Sequence, residues 1–152
     1  MEKLIKVAMG FEKADLVLKG GNVINVYTGE IEVADIAVCD GYIAGVGDYS
    51  GIEEVDVRGK YLAPGFIDGH LHIESTMLSP SNFAKAIMPW GTTTGICDPH
   101  EIANVCGEAG VDYMIKESKH TPFDAVFMAP SCVPATPYEN NGATIDAKGV
   151  DR

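Results

Sequence analysis

The chain has 152 residues, 11 Lys and Arg against 22 Asp and Glu, a formal net charge of −11 and an apolar fraction of 46%. That length suits one domain or one and a half, with a composition ordinary for a globular protein. Its acidity argues against a nucleic-acid backbone or an anionic membrane surface as partner, and no stretch approaches the roughly 20 apolar residues of a membrane span.

Residues 1–13 mix charges into a brief apolar run (Leu4, Ile5, Val7, Ala8, Met9), too interrupted for a signal-peptide core; the spacing fits a short helix or an arm. From residue 14 to 63 the pattern is that of a small β domain. Leu16-Val17-Leu18 is stopped by Gly20-Gly21, Val23 to Val26 follows, and Ile31 to Val38 is a longer strand. Asp40-Gly41 between two β-rich runs predicts a type I′ hairpin, since both central positions need φ > 0. Val55 to Val57 and Tyr61 to Ala63 complete what reads as an antiparallel sheet or half-sandwich.

From residue 64 to 152 the rhythm lengthens to strand then helix. Phe66 to Ser75 reads as a strand, Ser79 caps a helix with Pro80 in its first turn, and Pro89 ends it. Thr92 to Cys97 is a β-branched second strand, its threonines reading as β propensity and not as nucleophiles. Asp98-Pro99-His100-Glu101 reads as a loop, residues 107–119 as a helix, and Ala125 to Ala129 as a third strand. The tail from Pro134 predicts no firm element. Repeated strand–helix units signal a parallel sheet or a βα barrel. A whole barrel takes about 250 residues, and the 89 from 64 to 152 supply only three strands.

Chemistry gathers where the strands end. His70 and His72 stand at i and i+2 of a strand, so both imidazoles point to one face, and this pair can share a divalent metal. Asp68 and Glu74 fall on that face if the strand holds throughout, while Ile67, Leu71 and Ile73 face a covering layer. Asp68 either orients a ligating histidine through its second ring nitrogen or caps a backbone group. The second strand ends in Asp98, His100 and Glu101, the third near Ser131. Polar groups from separate strand ends converge at the mouth of a βα barrel, as a metal hydrolase requires. The four cysteines, at 39, 97, 106 and 132, have no C-x-x-C spacing, which fits reduced thiols in a cytoplasmic protein. Cys97 reads as a buried thiol and His120 as a surface group at a helix end.

The run Leu62-Ala63-Pro64-Gly65-Phe66-Ile67-Asp68-Gly69-His70-Leu71-His72 resembles the first barrel strand of the amidohydrolase superfamily. Gly20 to Val26, Asp35 to Val38 and Asp40 to Ile43 resemble the small β domain that precedes that barrel. His70 to Ser75 and Thr92 to Val105 are similar to the adenine deaminase branch. The resemblance implies an α/β fold: a composite-type half-sandwich followed by the first three βα units of an incomplete TIM-like (β/α)8 barrel. It implies hydrolytic deamination of adenine to hypoxanthine and ammonia in cytoplasmic purine salvage. It also implies a divalent metal, usually manganese, with iron or zinc as alternatives, and allows a homodimer of the full-length form.

His70 and His72 carry over as metal ligands and Asp68 as the residue before the pair. Glu74, His100 and Glu101 match branch motifs and are the catalytic candidates without fixed roles. The family's bridging carboxylate, two further histidines and final aspartate come from later strands that this sequence does not contain. The expectation is therefore the N-terminal part of a longer enzyme, inactive alone. The alternatives are another amidohydrolase acting on a cyclic amide, such as a dihydroorotase or hydantoinase, and a non-catalytic remnant.

Overall fold

Strand β1 (Ala14–Ile24) is the axis of the first of two units, Met1–Pro64 and Gly65–Arg152, in a computed structural model that describes residues 1–151. Helix α1 (Glu2–Ala8) precedes it; β2 (Ile31–Cys39), β3 (Tyr42–Gly47), β4 (Gly51–Asp56) and β5 (Tyr61–Leu62) follow. The strand order is β3-β2-β1-β4, with β5 also on β1. Neighbours β1–β2 and β2–β3 are antiparallel, but β4 and β5 run parallel to β1, so the sheet is mixed and not the antiparallel one expected. The two short strands expected around Gly20-Gly21 are one. The pairing with β2 shifts register between Leu18 and Gly21, and Gly20 sits at φ +69°, so the glycines form a bulge inside the strand. The Asp40-Gly41 hairpin has φ of 51° and 79°, the positive pair that a type I′ turn demands.

The core of this unit is Val7, Ala14, Val17, Ala37 and Cys39, so residues expected as helix or arm form a helix that packs on the sheet. Asp35 is almost fully buried and accepts from the Gly20 and Tyr49 backbone N–H groups and from the Lys19 ammonium. Burial alone would push its carboxyl up; those three donors outweigh it and hold the group below the usual carboxylate range.

In the second unit β6 (Phe66–Leu71), β7 (Thr92–Cys97) and β8 (Asp124–Phe127) form a parallel sheet in that order. Between β6 and β7 come a 3₁₀ turn at Glu74–Thr76, α2 (Pro80–Ile87) and a second 3₁₀ turn at Met88–Trp90. Between β7 and β8 come α3 (His100–Cys106) and α4 (Glu108–Ser118). Ile73, Phe83, Ala84, Cys97, Met114 and Phe123 make the core, with Phe83 edge-on to Phe123 at 5.6 Å between ring centroids.

Several local expectations change. The first strand stops at Leu71 instead of running to Ser75, because Ile73 turns to αR geometry and drops into the core. Ile67, expected on the covered face, is exposed. Residues 100–101 open a helix and not a loop. Ser79 stands at the N-cap of α2, yet its hydroxyl contacts the Ser81 hydroxyl at 3.3 Å and caps no backbone group. The tail is also structured: Val133 bridges Ile145, both pack on Ala103, and α5 (Ala147–Val150) is capped by Asp146.

Candidate metal centre

The carboxyl ends of β6 and β7 lie side by side because the strands are parallel, and their pairing runs on past the last residues. The Asp98 N–H donates to the Leu71 carbonyl at 2.9 Å. That bond sets the first residue after β7 against the histidine-bearing end of β6. Burial of Ile73 fixes the chain just after His72, and burial of Pro99 fixes it just after Asp98.

Donor atoms of His70, His72 and Asp98 consequently converge, each within 4.8 Å of the others. The imidazoles meet edge-to-face, with centroids 5.0 Å apart and planes at 86°. His72 Nδ1 and Asp98 Oδ1 are buried and have no hydrogen-bond partner. A buried polar atom without a partner is destabilising by roughly 1–3 kcal/mol. Two of them, on a carboxylate and an imidazole that both belong to the converging donor set, are groups a cation would satisfy. The donor set suits a divalent ion: two imidazole nitrogens and one carboxylate oxygen match manganese, iron or zinc.

The other candidates are not among the converging donors. Asp68 Oδ1 accepts from the His70 backbone N–H at 3.1 Å, the backbone-capping alternative. Glu74 is off the histidine face, since the strand has ended, and its Oε1 accepts from the Ile102 N–H at 3.2 Å. Glu101 accepts from the Ser75 hydroxyl, and His100 Nδ1 lies 4.0 Å from Cys132 Sγ. Sequence reasoning noted Asp98 as a polar strand-end residue but gave it no ligand role; its position one residue beyond β7 was the available signal.

Cys97, next to the donor set, is a spectator: burial first, then the Glu74 and Asp68 carboxylates, push its thiol up to about 11. A second trio, Asp15, Cys39 and Asp40, also brings donor atoms together. There Asp15 already holds the Lys3 ammonium at 2.7 Å and the Asp40 N–H at 2.8 Å, and burial raises the Cys39 thiol, so this trio is structural.

Comparison with known proteins bears on the whole chain. The Amidohydrolase family model matches residues 61–151. Adenine deaminase 2 of Desulfotalea psychrophila is 53% identical over 152 residues, all of this chain and 26% of the relative. Adenine deaminase of Desulfitobacterium hafniense is 52% identical over 151 residues, 99% of this chain and 26% of the relative. The chain thus spans about a quarter of the length of these curated relatives. Among solved structures, D-hydantoinase (dihydropyrimidinase) from Thermus sp. superposes with a TM-score of 0.56 at 25% identity, over 74% of this chain and 27% of that one. A D-aminoacylase structure gives 0.55 at 24% identity, over 76% and 29%, a likeness of fold.

Proposed function

Because this chain belongs to the amidohydrolase family, we propose that it forms the front of a metal-dependent enzyme that hydrolytically deaminates adenine to hypoxanthine and ammonia. The observation that carries the metal site is the convergence of His70, His72 and Asp98, with two of their polar atoms buried and unpartnered. What supports adenine as substrate is identity above 50% to adenine deaminases along the whole chain. In this reading residues 14–63 are the small β domain and residues 64–152 the start of the βα barrel. The setting is cytoplasmic purine salvage, and manganese is the preferred ion. Among the described residues no helix is long and apolar enough to cross a membrane.

Each residue has a definite task. His70 and His72 present imidazole nitrogens, and Asp98 adds a carboxylate whose negative charge offsets part of a dication's. His70, His72 and Asp98 would hold a divalent ion, which when bound would supply Lewis acidity to activate water near neutral pH. Asp68 stiffens the histidine-bearing backbone by accepting the His70 N–H. His100 and Glu101 are engaged with Cys132 and Ser75 and hold neighbouring loops together.

The test is turnover by the complete protein that carries this sequence, supplied with Mn²⁺. We expect hypoxanthine and ammonia in equal amounts from adenine, and loss of both activity and bound metal in His70→Ala, His72→Ala and Asp98→Ala. The second reading, hydrolysis of a cyclic amide, draws on the likeness to D-hydantoinase. Turnover of hydantoin or dihydroorotate with none of adenine would replace the first reading with it.

A further inference from the structure

We propose that Glu74 is a positioning residue that fastens the metal-ligand loop after β6 to the metal-ligand loop after β7. The proposal rests on the metal-site reading above for its consequence, but on independent geometry for the fastening itself.

Helix α3 begins two residues after Asp98 and has a defect at its start. Its N-cap is Pro99, which has no side-chain acceptor, and no side-chain cap bond comes from that position. The first N–H groups of a helix need acceptors from outside it. One is satisfied by another loop: Glu74 Oε1 accepts from the N–H of Ile102, the third residue of α3, at 3.2 Å. The next residue along repeats the link, since the Ser75 hydroxyl donates to Glu101, the second residue of α3. Glu74 therefore acts as a cap supplied from the neighbouring loop, and Ser75 adds a side-chain tie to the same helix beside it.

The connection matters because of what lies on either side of it. Glu74 is two residues after His72; Ile102 is four after Asp98. Between the two ends of the staple, Ile73 and Pro99 are buried and allow little play. The Leu71–Asp98 main-chain bond ties the two loops one residue before His72, and the Glu74–Ile102 bond ties them again two residues after it. Glu74 is not a member of the convergent trio. Its carboxylate acts through the spacing between His72 and Asp98.

The experiment compares Glu74→Gln, Glu74→Ala and Glu74→Asp in the complete protein. Gln keeps an acceptor oxygen at the same reach without the charge; Asp keeps the charge but draws it back by a methylene. Co²⁺ affinity, read by visible absorption, should stay within about threefold of the parent for Gln. It should fall by about 10- to 100-fold for Ala and Asp, the scale of lost ligand support. Hydrogen exchange of the Ile102 amide in the metal-free protein should quicken tenfold or more in Ala and Asp but not in Gln. Unchanged Co²⁺ binding and Ile102 exchange in Ala overturn the proposal. So does a Gln variant that loses Co²⁺ as badly as Ala, since that would make the charge a ligand. Should Ala not fold, Asp against Gln decides. If the parent itself binds no Co²⁺, the metal-site reading falls while Ile102 exchange still judges the staple.

Discussion

Gly95 links the stability of the βα unit to the geometry of its donor set. It is buried in the middle of β7, and a Cβ there would lie 2.7 Å from Leu71 Cδ2 and 2.8 Å from Phe123 Cζ. Carbon atoms rest at about 3.5–4.0 Å, so each neighbour would have to retreat by nearly 1 Å. Phe123 cannot do so freely, because it is buried edge-on against Phe83. Leu71 Cδ2 ends a flexible side chain that can turn aside, so the clash with Phe123 sets most of the cost. Overpacking of this kind is destabilising by about 1–3 kcal/mol. Reduced freedom of the unfolded chain in Ala returns about 0.4–1 kcal/mol. The net expectation for Gly95→Ala is a loss of about 1–2 kcal/mol, a factor of roughly 5–30 in the folding equilibrium. Urea titration should show a lower midpoint with an unchanged slope. Since Leu71 stands between His70 and His72, Co²⁺ affinity should fall as well, and adding Phe123→Leu should restore part of both. A Gly95→Ala protein with a midpoint at or above the parent's would refute this reasoning.

Two further outcomes follow from groups in different surroundings. Asp35 titrates low in the folded state, so the stability it contributes is complete above the ordinary carboxylate pKa of about 3.9 and is lost as pH falls through its lower folded value. Acid unfolding of the first unit should steepen below about pH 4, and Asp35→Asn should flatten that slope while weakening the unit at pH 7; a parallel pair of pH curves would sink the idea. Thiol labelling at pH 8 should modify Cys106 and Cys132, which are exposed, and spare buried Cys39 and Cys97 until denaturant is added. Rapid labelling of all four without denaturant would contradict the burial of the last two.

What the sequence disclosed was what short-range physics decides. The Asp40-Gly41 turn was legible because two adjacent residues had to adopt positive φ. The pairing of His70 with His72 was legible because spacing within one run carried it. The parallel attachment of β4 and β5 to β1 was not, since pairing partners are chosen across the chain by packing. Glu74 was misplaced for a related reason: β6 ends at Leu71 because Ile73 finds a better place in the core than along a strand. Asp98 was visible as a residue but not as a donor. Its convergence with the histidines depends on a main-chain bond to Leu71, 27 positions earlier. His100 and Glu101 were read as a loop because Pro99 suggested one, although proline also begins helices well.

Pro99 has one more effect, on the disorder that must be removed before a cation can be held. A residue that precedes proline is sterically barred from much of αR space, even in an unfolded chain. Asp98 therefore reaches the end of β7 with a narrowed range of backbone angles, and less conformational entropy is lost in holding its carboxylate near the two imidazoles. The ring that deprives α3 of an internal cap thus preorganises the third donor, so one residue both creates the need for an acceptor from the neighbouring loop and makes the donor beside it stiff.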